Sequence, residues 1–264
     1  MTRLIVFALL VVALPARAEP ERFYVRGGVL HVMPFSDSRE LQLSNVGGPA
    51  SLAVSDGPVR GSGTTVDTMT MPAAILGYRL RSFGGRFAVE TVLAPPVKVR
   101  FHGTGTLADE SIAPMALGIP TGVPALGSEL GEAKAVPPVV TMIYRLLDRE
   151  SFQPYVGLGG SLLIAYDARA TNAVLTEVSQ PDVHLDPAAG LVLQAGLDAR
   201  IWRRVRARID LKYIAFMKAH ATVENIHVRT PGLPLLEEVA VGTATMDVWV
   251  NPLIVQFGVG VDFW

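Results

Sequence analysis

The sequence predicts an all-β fold: an eight-stranded antiparallel transmembrane β-barrel with four long outer loops and three short periplasmic turns. Three observations carry this reading. Half of the residues are hydrophobic and only 18% are charged, yet no stretch after Leu14 offers the ~20 uninterrupted apolar residues of a membrane helix. The apolarity is instead dispersed by alternation over eight segments. Only helices and closed barrels satisfy their backbone groups in lipid, so dispersal of this kind marks a barrel. Finally, the segments are joined alternately by short turns and long connections, as in outer-membrane barrels, whose termini lie on the short-turn side.

Residues 1–18 read as a signal peptide and stay outside the fold argument. Arg3 supplies the positive start, Leu4 to Leu14 the apolar run, and Ala16-Arg17-Ala18 the small-x-small cleavage pattern. Residues 19–264 then form one barrel domain. The chain has no cysteine, which removes disulfides, thiol catalysis and cysteine–metal sites.

Successive side chains on a strand point to opposite faces. In the first segment, Phe23 to Met33, Phe23, Val25 and Val29 oppose Tyr24, Arg26 and Leu30. The second, about Thr64 to Leu80, opposes Ala74, Leu76 and Tyr78 to Met71, Ile75 and Arg79, and Arg81 to Gly85 is a tight turn. The third, Arg86 to Phe101, sets Phe87, Val89, Leu93, Val97, Val99 and Phe101 against Arg86, Glu90, Lys98 and Arg100. Its Pro95-Pro96 pair removes ladder donors and predicts a bulge or bend.

The fourth segment, Val139 to Leu147, opposes Val140, Met142, Tyr144 and Leu146 to Thr141, Ile143 and Arg145. The fifth, Gln153 to Tyr166, turns Val156, Leu158, Leu162, Ile164 and Tyr166 outward and Tyr155, Gly157, Gly159 and Ser161 inward. The sixth, about Ala188 to Arg200, opposes Leu191, Leu193 and Leu197 to Val192, Gln194, Asp198 and Arg200. The seventh runs Val205 to Tyr213 against Arg204, Arg206, Arg208, Asp210 and Lys212. The eighth, Trp249 to Trp264, sets Leu253, Val255, Phe257, Val259, Val261 and Phe263 against Ile254, Gln256, Gly258, Gly260 and Asp262. Short turns fall near 81–85, 148–152 and 201–203, and long loops near 36–62, 102–136, 167–187 and 217–246.

On the apolar faces the aromatics sit at two depths: Phe23, Tyr78, Phe87, Tyr144 and Phe263 near the short turns, and Phe101, Tyr166, Tyr213 and Trp249 near the long loops. Two girdles are expected of faces that meet lipid. The order Gln256, Gly258, Val261, Phe263 looks like the C-terminal signal by which barrel strands are recognised for insertion, with Trp264 one residue beyond its usual end. Outer-membrane lipid and the barrel-insertion machinery are the partners this implies.

The chain resembles the OmpW family of small outer-membrane barrels. The resemblance is carried by Tyr24-Val-Arg-Gly-Gly28 with Met33-Pro34, Arg86-Phe-Ala-Val-Glu90, Val136 to Tyr144, and Gln153-Pro-Tyr-Val-Gly-Leu-Gly159. Further on it includes Gln194-Ala-Gly-Leu-Asp198, Ile209 to Ile214, and Asp247-Val-Trp-Val-Asn-Pro252 with Gly258. It implies an eight-stranded barrel with a narrow, largely apolar interior that passes small hydrophobic molecules. Loops 36–62 and 102–136 are longer than the family usually carries.

The inward residues separate by depth. Arg26, Arg79, Arg86, Glu90, Arg145, Asp198, Arg200, Arg204, Arg206 and Asp262 fall near the short-turn end. Leu30, Met69, Met71, Ile75, Ile143, Leu163, Val192 and Ile254 fall in the middle and outer half. An eight-stranded barrel holds side chains or one small ligand. The expectation is a salt-bridged floor, with Glu90, Asp198, Asp210 and Asp262 paired to arginines, beneath a pocket or gate for a hydrophobic solute.

The alternatives are a membrane scaffold or adhesion barrel with a packed lumen, an outer-membrane lipid-modifying enzyme, and a soluble lipocalin-like barrel. His31, His102, His184, His220 and His227 lie at outer strand ends or in loops, and no spacing ties them to a Ser or carboxylate. There is no zinc-binding His spacing, and Gly157 to Gly160 lies within a strand rather than before a helix. A net charge of −1 argues against a nucleic-acid partner. No cofactor and no metal are expected.

Overall fold

The computed structural model describes residues 22–147, 151–233 and 236–263, without the side chains of Ser82 and Phe83. The predicted signal peptide and Trp264 lie outside the described residues. Eleven strands matter here: β1 (Phe23–Ser38), β2 (Met69–Arg79), β3 (Phe87–Leu93), β4 (Val97–Gly105), β5 (Glu129–Val136), β6 (Val139–Arg145), β7 (Phe152–Ala170), β8 (Ala188–Trp202), β9 (Val205–Ala215), β10 (Lys218–Arg229) and β11 (Glu238–Phe263).

Among the described residues, eight of these close a ring in the order β6, β3, β2, β1, β11, β9, β8, β7, with β7 returning to β6. Every pairing around it is antiparallel. The seam joins the first strand to the last: Phe23 pairs with Phe263 and the register runs unbroken to Ser38 opposite Val248. A closed ring leaves no open edge in the hydrocarbon region.

The outward side chains form an exposed apolar belt that includes Val140, Met142, Leu158, Leu193, Ile209, Phe257 and Val259. At its lower margin the ring of Phe23 lies 4.8 Å from that of Tyr78, and the ring of Phe87 4.9 Å from that of Tyr144. These are neighbouring members of the inner girdle.

The chain's course sharpens three expectations. The long outer segments contain short strands, and 217–246 is mostly strand, so they raise the wall above the belt. β10 pairs with the upper half of β11, β4 with β5, and β5 with the upper part of β7. Outside the membrane the outer face meets water, so the alternation there sets small apolar residues against polar ones and reads as loop composition. Second, the segment Thr64 to Leu80 is two strands: Ser62–Val66 pairs with β4, and β2 pairs with β1 and β3.

Third, the Pro95-Pro96 pair does more than bend the chain. Phe87, Val89 and Leu93 face outward, but beyond the prolines Val97, Val99 and Phe101 border the interior. The alternation changes parity there. Phe101 is therefore no part of an outer girdle, and Lys98 and Arg100 face solvent. Exposed Phe35 and Phe216 supply aromatics to the upper surface instead.

Candidate functional site: a charged floor beneath an apolar cavity

Nine charged residues inside the barrel are buried: Arg26, Arg145, Arg206, Arg208 and Lys212 against Glu90, Asp198, Asp210 and Asp262. All but Arg145 join one connected network of ion pairs and hydrogen bonds. Lowest, Asp262 accepts from Arg26 at 2.5 Å, Arg79 at 2.9 Å and Arg206 at 3.0 Å. Arg26 reaches Asp198 at 3.7 Å, and Asp198 is gripped by Nε and Nη2 of Arg208 at 2.7 and 2.8 Å. Nη1 of Arg208 donates to Glu90 at 2.7 Å. Gln194 Nε2 donates to both Glu90 (3.0 Å) and Asp210 (2.6 Å). Asp210 closes the series on Lys212. Buried charges are tolerated only when paired and hydrogen-bonded, and bidentate guanidinium–carboxylate contacts are among the strongest ways to do so.

Two tyrosines thread this layer. Tyr24 donates to Glu90 and Tyr155 to Asp210, each at 2.5 Å. The Tyr24 ring carries the guanidiniums of Arg26, Arg79, Arg145 and Arg208 within 4.9–5.6 Å of its centroid, a cation–π arrangement. The three guanidinium nitrogens of Arg145 hydrogen-bond no described group. Both tyrosines rest where a neighbouring strand has only hydrogen. A Cβ at Gly77 would lie 2.0 Å from Tyr24 Cζ, and one at Gly196 2.3 Å from the Tyr155 hydroxyl.

Above the network lies a cavity of about 290 Å³. Its barrel walls include Leu30, Met71, Leu163, Ile214, Met217 and Ile254, with Lys212 at the margin it shares with the floor. Its upper walls come from the raised strands, where Leu43, Ile226, Val228 and Ala244 form one apolar cluster and Leu107, Met246 and Val248 another.

The predicted floor residues Arg26, Arg79, Glu90, Arg145, Asp198, Arg206 and Asp262 meet in the lumen. Arg86 and Arg204 do not. Arg86 has the helical backbone that ends the Ser82–Gly85 turn, so strand parity starts only at Phe87, and its guanidinium reaches the exposed Tyr144 hydroxyl at 3.3 Å. Arg204 likewise belongs to the exposed turn before β9. Asp210 takes Lys212, Tyr155 and Gln194 rather than an arginine.

Of the predicted pocket residues, Leu30, Met71, Leu163 and Ile254 border the cavity, as does Met69. Val192 packs with Leu30, Met71 and Ile254 without bordering it. Ile75 and Ile143 belong to the floor. Ile75 stands opposite Arg26, and Ile143 packs with Tyr24, Ala88 and Tyr155. Strands in a barrel are tilted and staggered, so equal counts from the turns do not give equal heights.

Sequence reasoning set Tyr24, Tyr155, Gln194, Arg208, Lys212 and Gln256 opposite the apolar faces but assigned none of them to the floor. The available signal was that each shares parity with a neighbour already assigned inward. Of the residues predicted as an insertion signal, Gln256 is fully buried in the lumen. Gly258 lies against the β1 backbone, and Val261 and Phe263 have the outward parity.

The histidines have partners in space that spacing did not reveal. His102 lies 3.0 Å from Asp67, His184 3.4 Å from Asp186 and His220 2.9 Å from Asp247. His31 meets Thr70 at 2.8 Å and His227 meets Ser179 at 3.3 Å. No described histidine joins both an acid and a hydroxyl, and no three possible metal ligands gather among the described residues.

The fold has counterparts among known proteins. OprG, an outer membrane protein of Pseudomonas aeruginosa, superposes with a TM-score of 0.68 at 22% identity, over 92% of this chain and 96% of that one. AlkL, determined in DMPC lipid bilayers, gives 0.53 at 19% identity over 95% of each chain. The outer-membrane protein y4mB of Sinorhizobium fredii is 25% identical over 131 residues, so the matched part spans about half of that relative's length (55%). The OmpW family profile matches residues 21–263. A ring of eight strands, a lipid-facing belt and these relatives agree: the chain is a β-barrel of the Gram-negative outer membrane and belongs to the OmpW family.

Proposed function

We propose that this barrel passes small hydrophobic molecules across the outer membrane, holding them in the apolar cavity above the charged floor. The observation that carries the reading is the stacking of the two: an apolar chamber of about 290 Å³ directly above side chains joined into one ion-paired layer. Small-molecule sites are typically ~300–1,000 Å³, so this volume favours compact ligands. Transfer of apolar surface from water contributes roughly 25 cal/mol per Å², which is the driving force for loading. The cavity also separates this reading from a scaffold with a filled lumen.

The floor would block ions and water, and the solute would leave sideways. The β2–β3 ladder ends at Ala74 opposite Leu93, and the β3–β6 ladder ends at Val92 opposite Val139. Pairing resumes between β4 and β5 at Val97 opposite Ala135. Between them stand Pro95, Pro96, Pro137 and Pro138, which have no backbone donor. Ala94, Val97 and Pro137 border the cavity, so this break in the ladders lies beside it. We also infer that Gln256, Gly258, Val261 and Phe263 serve the barrel-insertion machinery.

The test is uptake of a labelled short alkane by vesicles carrying Leu30→Asp, Met71→Asp or the native barrel, with conductance recorded on the same preparations. The reading expects folded variants with strongly reduced uptake and no steady ion current in the native protein. Native uptake rates in both variants, or a large steady current, would overturn it.

A further inference from the structure

The parity change at Pro95-Pro96 has a consequence on the outer surface. Three neighbouring strand columns leave the apolar belt and become charged at similar height. From β3 to β4, exposed Leu93 is followed by Lys98 and Arg100; on β6 and β5, Met142 and Val140 give way to Lys134 and Glu132; on β7, Leu158, Leu162 and Tyr166 are followed by Asp167 and Arg169. Register places Lys98 directly opposite Lys134, and Glu132 between Arg100 and Arg169. Like charges directly opposite on an exposed ladder repel.

The carboxylates here are already engaged. Glu132 takes Lys98 at 3.2 Å and Arg169 as well, and Asp167 takes Lys134 at 2.9 Å. Arg100 forms no ion pair among the described residues. Over these rows four cations face two carboxylates; the next acids above, Glu129 and Asp67, are engaged by Thr171 and His102. The Lys218–Asp247 side of the rim differs, since Arg39 and Lys218 there are balanced by Asp37 and Asp247.

Height identifies the partner. Ten residues separate Tyr144 of the inner girdle from Lys134, about 33 Å along a strand. At a tilt of roughly 40° that rise is close to the ~25 Å of an outer-membrane apolar band. The cations thus stand where the outer leaflet presents its head groups, with Tyr166 among them.

We propose that the β4–β5–β7 outer face is a binding site for the phosphate groups of an anionic glycolipid in the outer leaflet. Arg100 and Arg169 offer planar forks that match phosphate oxygens, and Lys98 and Lys134 add compact positive charge. Basic residues at a membrane surface recognise anionic head groups in this way. Glu132 and Arg169 also border the cavity, whereas Lys98, Arg100 and Lys134 do not.

The test uses the full barrel in neutral detergent, with native mass spectrometry counting retained lipid. Its three arms are diphosphorylated lipid A, the same lipid with its phosphates removed, and inorganic phosphate as competitor. The native barrel should retain the phosphorylated lipid and not the dephosphorylated one, and each cation removed in the series Lys98→Gln, Arg100→Gln, Lys134→Gln should weaken retention about fivefold. Arg100→Gln alone, which breaks no ion pair, keeps the test usable if the triple variant does not fold. Undiminished retention by Arg100→Gln and by a folded triple variant would overturn the proposal. Equal retention of the dephosphorylated lipid, or full displacement by millimolar inorganic phosphate, would overturn it too.

Discussion

Nη1 of Arg208 lies 2.7 Å from Oε1 of Glu90, and neither side chain reaches solvent. The same guanidinium holds Asp198 through two further bonds, so one cation on β9 ties carboxylates on β3 and β8. Arg208→Met would leave Glu90 with only the neutral donors Tyr24 and Gln194, and Asp198 with only Arg26 at 3.7 Å. Removing one partner of a buried pair costs about 3–5 kcal/mol, and the urea midpoint for loss of the compact, heat-modifiable form should fall accordingly. Adding Glu90→Gln and Asp198→Asn should recover much of the loss. A single variant as stable as the native barrel would show that this pair does not hold the floor.

Gly77→Val tests the seat of Tyr24. The new side chain would occupy the space of the Tyr24 ring and displace the hydroxyl from Glu90. Overpacking costs typically ~1–3 kcal/mol. Pairing Gly77→Val with Tyr24→Ala should cost less than the sum of the two, because the residues share one space. Strict additivity in such a cycle would contradict the contact.

Filling the cavity should act on transport without adding charge. Ile214→Trp or Met217→Trp should lower hydrophobic uptake several-fold while the barrel remains heat-modifiable. Val140→Trp, on the exposed belt, should leave uptake unchanged. Equal effects from inward and outward tryptophans would detach uptake from the cavity.

The outer rim carries an acid-sensitive contact. Hydrogen bonds from His220 and Lys218 hold the Asp247 carboxyl below its usual range. A carboxylate with a depressed folded pKa stabilises fully above its unfolded value, ~3.9 for Asp, and loses that contribution as pH falls through the folded one. Asp247 is partly covered but its partners are exposed, so the effect is small and local. Hydrogen exchange between β10 and β11 should rise as pH drops below 4, corrected for intrinsic rates, and Asp247→Asn should flatten the response.

How much of this was legible in the sequence depended on what each residue faces. Lipid on one side and a lumen on the other enforce strict alternation, so the eight wall segments and faces such as Leu158 out and Tyr155 in could be read directly. Above the membrane both sides are permissive, and β10 read as a loop. Parity also fails wherever the backbone leaves the pleat: Arg86 and Arg204 were carried inward by counting through turns, and Phe101 outward by counting through Pro95-Pro96. Heights were the least legible. Ile75 and Ile143 share the inward face with Leu30, but stagger between strands, which single segments do not record, sets them in the floor.

The floor's connectivity has a further meaning for how such a barrel changes over time. Arg208 serves two acids, Asp262 three arginines and Gln194 two acids, so none of these positions can drift alone. Substitutions must arrive as compensated sets spanning several strands. The cavity wall has no such bookkeeping, since one aliphatic side chain can replace another. Ligand preference can therefore diverge quickly above a base that is inherited nearly as a block.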